Sequence, residues 1–367
     1  MPRADWRVRW GIPVAVIVVL ALGYWWLHPK PRSLGTAYIS EKSVILWTTT
    51  AEVRQPAATA HYGDLVTILA RQGPVAQVRN AAGVSGWMDA YGLMDPTLWQ
   101  QATALLAKAR GMEVQASGYA KTVTNLHIEP GRSSDRIYQF GRNVPVVILA
   151  RAVAADTEPA AAAGGAASDT AAPDASQPKL EDWLLVMRDS SAAEAPLAAE
   201  NTDVSAAAAN AAPAADDATA DAPLPMAGWV LARFIELNPP GPVRDNAQSS
   251  DLHLAAWFEL NRVPGGSGDV PQYLVAGSRG EEGQTCDFTL LRVYTWDDPR
   301  QRYETAFLES DLCGKLPIHV FGTADAPEFK FADQTSGERD YVMHKTMVRR
   351  VLPNEQNART PRAAKKK

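Results

Sequence analysis

Two stretches of similar kind constrain this chain more than anything else in it: Ser85-Gly86-Trp87-Met88-Asp89-Ala90-Tyr91-Gly92-Leu93-Met94 and, much later, Met226-Ala227-Gly228-Trp229-Val230-Leu231-Ala232-Arg233-Phe234-Ile235-Glu236-Leu237. Each places a glycine before a tryptophan and continues with alternating apolar residues, the period of a half-buried strand. Self-similarity of this sort implies repeated structural units. The expectation is two small β modules in one chain.

The first module is expected over residues 36–96. Ala37–Ile39, Val44–Thr48, Leu65–Leu69, Val75–Arg79 and Gly86–Ala90 lean to strand, and Gly63-Asp64, Gln72-Gly73-Pro74 and Asn80–Gly83 supply turn chemistry between them. Five short strands in so few residues point to a small barrel, because closure removes raw sheet edges. Asp95-Pro96-Thr97 then reads as a helix start and Gly111 as its stop, giving a connector over 97–111. Leu98, Leu105, Leu106 and Ala109 share one face of that helix, a stripe suited to packing on a neighbouring module.

The second module is expected over residues 114–239. Gly118-Tyr119-Ala120-Lys121 matches Thr36-Ala37-Tyr38-Ile39, and the segment from Phe140 to Leu149 matches Tyr62 to Leu69. Two tracts of Ala, Pro, Asp, Ser and Thr, at 155–179 and 190–225, interrupt it. With these 25 and 36 residues set aside, the interval from Tyr119 to Trp229 falls from 110 positions to 49, the interval from Tyr38 to Trp87. The tracts therefore read as disordered insertions in hairpin loops, too poor in apolar variety to fold. Loop closure costs rise only logarithmically with length, so a sheet tolerates them.

A tyrosine-led first strand, the Leu126-His127-Ile128-Glu129-Pro130-Gly131 turn, the strand Val144–Leu149 after Gly141-Arg142, and a closing Gly228-Trp229-Val230 together resemble bacterial SH3-type domains. The likeness covers both modules, although Leu46-Trp47-Thr48 in the first lacks the Pro-Gly turn. The resemblance implies binding of cell-wall peptide or glycan, or of an envelope protein. Tyr38, Trp87, Tyr119 and Trp229 are the aromatics that would either fill the barrel cores or line a ligand groove. Trp87 and Trp229 are expected to complete the two cores, with direct ligand contact as the alternative.

Ahead of the modules, Gly11–Leu27 is a run of 17 residues without a charge, closed by Tyr24, Trp25 and Trp26. It would span roughly 25 Å as a helix, near the lower limit for crossing a bilayer, and its tryptophans suit the headgroup region. Residues 1–28 thus read as an uncleaved transmembrane anchor. The competing reading, a cleaved secretory signal, would end in small residues, and Tyr24–Pro29 has no Ala-x-Ala pattern. Arg3, Arg7 and Arg9 before the run outweigh Lys30 and Arg32 after it, which favours a cytoplasmic N-terminus and a periplasmic bulk.

Residues 249–353 alternate apolar with polar in seven runs: Leu252–Val263, Val270–Gly277, Cys286–Trp296, Arg302–Leu308, Leu316–Phe321, Glu328–Phe331 and Tyr341–Val351. An antiparallel sandwich or open barrel is expected, followed by a basic tail at 354–367. The chain is thus mainly β throughout. Its two cysteines, Cys286 and Cys313, enclose a loop that a disulfide would stabilise by roughly 3–4 kcal/mol in an oxidising compartment. Two free core thiols are the alternative.

Catalytic and metal signatures are sparse. The six histidines fall without His-x-x-x-His or His-Glu-x-x-His spacing, and the cysteines lack Cys-x-x-Cys spacing. Cys313 with His344 is the one conceivable nucleophile and base, and a structural cysteine is the plainer reading. Asp297-Asp298 with Glu309 and Asp311 read as surface carboxylates rather than a calcium loop, and Gly277–Gly283 as a hairpin turn rather than a phosphate loop. A formal charge of −5 argues against nucleic acid as a partner. The expectation is a non-enzymatic, membrane-anchored binding protein without cofactor or metal. The alternatives are an envelope hydrolase with its chemistry in the last third, or a scaffold.

Overall fold

The computed structural model describes residues 33–155, 179–188, 224–266, 268–280 and 282–352. The expected anchor, the basic tail and, apart from residues at their ends, the two alanine-rich tracts lie outside the described residues. Among the described residues no helix is long and apolar enough to cross a membrane. The chain divides into two compact units, Met1–Pro96 and Thr97–Lys367.

In the first unit seven strands form one antiparallel sheet: β1 (Gly35–Ile39), β2 (Ser43–Trp47), β3 (Pro56–His61), β4 (Leu65–Gln72), β5 (Val75–Arg79), β6 (Ser85–Asp89) and β7 (Leu93–Met94), with a 3-10 turn at Ala90–Gly92. The order across the sheet is β3-β2-β6-β5-β4-β1-β7. Its inner residues form one cluster, with Ile39, Leu46, Val66, Ala76, Val78 and Met88 almost without solvent contact, so the sheet curls around a single core. Sequence reasoning finds five of these strands. It misses β3, whose Pro-Ala-Ala-Thr-Ala-His carries a single β-branched residue, and the two-residue β7.

The second unit opens with α1 (Pro96–Ala109) and repeats the sheet: β8 (Ala116–Ala120), β9 (Thr124–His127), β10 (Arg136–Phe140), β11 (Pro145–Ala155), β12 (Leu180–Arg188), β13 (Met226–Leu231) and β14 (Ile235–Leu237). The order β10-β9-β13-β12-β11-β8-β14 reproduces that of the first sheet strand for strand. Register agrees as well: Trp87 lies opposite Gln77 and Trp47, and Trp229 lies opposite Leu185 and His127. A bulge falls between Ile68 and Ala70 in one sheet and between Ile148 and Ala150 in the other. The turns before β4 and β11 keep the same spacing, three positions from Ala60 to Gly63 and from Phe140 to Asn143, and Asn143 (φ 61°), not Gly141, takes the left-handed place of Gly63 (φ 84°). Their N–H groups donate to the carbonyls of Ala120 and Ile39 in matching fashion. Asparagine fills such a position at little cost, which is why a glycine-to-glycine match misplaces it.

Ala155 pairs with Leu180 and Arg188 with Met226, so each alanine-rich tract connects the two arms of a hairpin. α1 lays Leu105, Leu106 and Ala109 against Val147, Leu149, Leu185, Met187 and Ala227 on the outer face of the second sheet. Three of the four residues of the stripe read from the sequence thus pack on the module that follows it.

After the second barrel comes α2 (Gly241–Ser249), absent from the sequence reading because its prolines and Asn-Gln-Ser end look like linker. Pro242 at the start of a helix is favourable, since its missing N–H is an orphan there anyway. Two four-stranded meanders follow: β15 (His253–Gly265), β16 (Gly268–Ser278), β17 (Leu290–Asp297) and β18 (Arg302–Glu309), then β19 (Gly314–Thr323), β20 (Ala326–Asp333), β21 (Gly337–His344) and β22 (Met347–Val351). Leu274, Leu291 and Val293 of the first pack against Ile318, Phe329, Phe331 and Tyr341 of the second in one core. This is a sandwich. The run expected over Tyr341–Val351 is two strands, divided at Lys345, which holds a left-handed φ of 56°. α2 covers the outer face of the first meander through Val243 and Ala247, which meet Tyr273, Val275 and Tyr294.

The second barrel and the sandwich belong to the same compact unit. Gln115, fully buried, joins them by acting as a one-residue strand. Its side-chain amide donates to the Ile318 carbonyl (3.2 Å) and accepts from the Ile318 N–H (2.7 Å), while its own carbonyl accepts from Trp257 (3.0 Å).

Candidate functional site

Tyr38, Trp87, Tyr119 and Trp229 all face outward and are half-buried; none fills a barrel core. This corrects the expectation for the two tryptophans, and the reason is parity. Gly86 and Met88 point inward in the first sheet, Gly228 and Val230 in the second, so the residue between them must point out. The glycines are there for close approach: a Cβ on Gly86 would lie 2.7 Å from that of Leu46, and one on Gly228 would lie 2.5 Å from Leu126 Cγ. Within neither sheet do the tyrosine and the tryptophan converge. Tyr38 lies opposite Leu65 and Met94, three strands from Trp87, and Tyr119 opposite Pro145 and Glu236, three strands from Trp229.

The outer faces around the two tryptophans differ in chemistry. Trp229 sits among Val147, Leu185, Met187 and Ala227 under α1. Register places Thr67, Gln77, Arg79 and Ser85 at the same positions around Trp87, with Arg79 Nε donating to Ser85 Oγ at 3.1 Å. One face is apolar and covered by a helix; the other is polar.

A different corner recurs in both barrels. It lies at the start of the eight-residue loop after β2 (48–55) or after β9 (128–135), and in the second barrel Phe234 of the 3-10 turn lines the same cleft as the loop residue Arg132. In the first barrel Trp47 ends β2 and the Arg54 guanidinium stacks over its ring at 4.4 Å, beside the strongly exposed Val53. In the second, His127 holds the place of Trp47. Its Nδ1 lies 2.8 Å from the Ser134 carbonyl, to which Nδ1–H donates. Its ring meets the buried Trp183 edge-on at 5.3 Å. His127, Trp183, Arg132, Gln139 and Phe234 line a cleft of about 330 Å³.

Arg132 belongs to an ion cluster behind that cleft. Its Nε and Nη2 donate to the two oxygens of Glu181 at 2.8 and 2.6 Å, and Arg233 Nη1 donates to the same carboxylate at 2.8 Å. Glu181 is buried, and both guanidiniums keep about a third of their surface in solvent. The hydrogen bond from Arg132, with Arg233 in support, holds the Glu181 carboxyl below the usual carboxylate range against the opposing push of burial. Two guanidiniums thus share one buried carboxylate.

Arg151, on the extended end of β11, anchors the barrel to the sandwich. It donates to Asp182 (2.5 Å) and Asp287 (3.0 Å) and to the carbonyls of Gln284 (2.9 Å) and Cys286 (3.2 Å). Lys315 supports Asp287 at 3.2 Å and donates to the Thr285 carbonyl. The loop that meets Arg151 runs between β16 and β17 and is joined to the start of β19 by a disulfide between Cys286 and Cys313. The glycine-rich start of this loop lies in a hairpin connection, the long one between β16 and β17. Gly283 (φ 83°) donates to Asp182 at 2.9 Å and passes so near Leu180 that a Cβ would lie 2.6 Å from its carbonyl oxygen.

The remaining sequence candidates are engaged in structure. Cys313 has its sulfur in the disulfide, which removes it as a nucleophile for His344. Asp298 accepts from the Trp296 indole, Gln301 and the Gly266 N–H; Asp297 pairs with Arg300; Glu309 binds Arg339 and the Tyr341 hydroxyl. Sequence reasoning passes over Trp47, Arg54, His127, Trp183, Arg132, Glu181 and Arg233. One signal was present: Leu46-Trp47-Thr48 and Leu126-His127-Ile128 place an aromatic ring at the same point of both repeats.

No protein-family model matches this chain, and no curated protein matches it. Among solved structures it is similar to an NlpC/P60 family protein from Bacillus cereus ATCC 10987, at 10% sequence identity over 88% of this chain and 96% of that one, with a TM-score of 0.19. A likeness that distant carries no argument about fold or function.

Proposed function

We propose that this chain is a non-enzymatic, membrane-anchored extracytoplasmic binding protein whose two barrels, which resemble bacterial SH3-type domains, engage cell-wall material or an envelope protein. The observation that carries the reading is the recurrence, in both barrels, of an aromatic ring at the end of the second strand with an arginine of the long loop that follows it. Rings beside guanidiniums recognise peptides and glycans by stacking and by hydrogen bonds together. The Cys286–Cys313 disulfide supports an oxidising compartment, and Gly11–Leu27 supports the anchor.

Purified peptidoglycan sacculi provide the test. The full-length chain should sediment with them, and Trp47→Ala combined with His127→Ala should weaken binding about tenfold, the effect of losing a modest hot spot. Unchanged sedimentation of a folded double variant would remove the corner as the binding site. Release of soluble fragments from sacculi by the chain alone would favour the hydrolase alternative. A phosphatase fused after Lys367 should be active outside the cytoplasm.

A further inference from the structure

Between the second barrel and the sandwich lies a cavity of about 470 Å³, within the ~300–1,000 Å³ range of small-molecule sites. Four half-buried leucines from separate elements face it: Leu184, Leu237, Leu254 and Leu316. Its polar base is already satisfied, because Arg151 is held by Asp182 and Asp287 and by two backbone carbonyls. The base therefore offers no unpaired charge to a ligand. The mouth does. Lys121 is exposed on the barrel side and has no ion pair among the described residues. Its backbone N–H donates to the carbonyl of Phe234, the residue after Arg233, whose partly exposed side chain lines the same cavity and is held by Glu181. Glu282 stands on the sandwich side, so the mouth is polarised, cationic on the barrel side.

We propose that this cavity binds an apolar chain with a carboxylate head, the chain against the four leucines and the head at Lys121 and Arg233. Apolar walls left open to water gain from any occupant that covers them. The fixed cations at one side of the mouth select a negative head and set its direction, and Glu282 repels that head from the other side. An alkyl phosphate presents the same negative head on the same chain, so the test separates the two.

The full-length chain in phosphatidylcholine nanodiscs is photolysed with decanoate carrying a terminal diazirine, with the matching alcohol, and with the matching alkyl phosphate. Cross-linked peptides are then mapped by mass spectrometry. Decanoate should label the peptides that contain Leu184, Leu254 or Leu316, and the alcohol should label them several-fold less. Lys121→Gln should lower this labelling about two- to fivefold, the range expected of one exposed charge pair. Glu282→Gln should leave it equal or raise it. Preferential labelling by the alkyl phosphate would reassign the head to phosphate and overturn the carboxylate. Equal labelling by the alcohol, labelling confined to other peptides, or indifference to Lys121→Gln would overturn the site.

Discussion

Arg71 and Arg151 stand at the same point of the same fold, and their fates differ. Each follows a Leu-Ala pair at the bulge of the fourth strand of its sheet, in Leu69-Ala70-Arg71 and Leu149-Ala150-Arg151. Arg71 is exposed one residue before the hairpin turns. Arg151 lies on a hairpin that runs on to Ala155 and reaches the sandwich, where it is almost buried between two carboxylates. The tryptophans repeat the lesson. Trp87 is ringed by Thr, Gln, Arg and Ser, while Trp229 is ringed by Val, Leu, Met and Ala beneath α1. One copy of the barrel keeps a polar outer face, and the other has its corresponding face committed to packing.

Substituting the paired arginines should separate the copies most. Arg151→Ala leaves Asp182 and Asp287 short of their shared cation and should cost the second unit about 3–5 kcal/mol, the usual penalty for breaking a buried pair. Arg71→Ala should change the first unit by less than about 0.5 kcal/mol. Urea unfolding of each variant measures both, and similar losses would erase the distinction. Replacing both Cys286 and Cys313 by alanine should cost the second unit about 3–4 kcal/mol and leave the melting of the first barrel unmoved. A matching shift in both transitions would mean that the two units unfold together.

The tryptophans come next. Trp229→Ala strips a partly buried ring from beneath α1 and should cost about 2–3 kcal/mol, below the ~3–5 kcal/mol of a fully buried one. Trp87→Ala, on the polar face, should cost about 1 kcal/mol. Equal costs would contradict the contrast between the faces. Acid acts through a single carboxyl. Burial pushes the Asp333 carboxyl upward, but the Thr335 hydroxyl and the N–H groups of Thr335, Ser336 and Cys313 outweigh it and hold the pKa at about 2, from 3.8. A depressed pKa adds stability that is complete above the unfolded value and lost as pH falls through the folded one. Chemical denaturation of the second unit should therefore lose about 2 kcal/mol between about pH 5 and pH 1.5 through this group. Asp333→Asn should flatten that part of the profile.

Much of the architecture was legible because it is local. Alternation marks strands, Gly and Asn mark turns, and the equal spacing of Tyr38–Trp87 and Tyr119–Trp229 marks the duplication once the alanine-rich tracts are set aside. The stripe on α1 announced that the helix would pack, but not on which barrel; the apolar Leu185, Met187 and Ala227 decide that in the structure. Alternation does not say which of its two phases faces inward. The tryptophans were assigned to the core for their size, yet only a glycine fits where β6 crosses β2 and β13 crosses β9, and that close approach is a property of two strands together.

By itself, then, the sequence determined a mainly β chain with a duplicated small sheet, a connecting helix with one apolar face and a final run of antiparallel strands. Tertiary structure alone decided the rest. Gln115 meets Ile318 across 203 positions, Arg151 meets Asp287 across 136, and Arg132 and Arg233 converge on Glu181 from either side of an insertion. Such pairings carry no periodic signature, because each partner is an ordinary polar residue in its own segment. It is the packing of one sheet on another that removes water from between them and gives the pairing its weight.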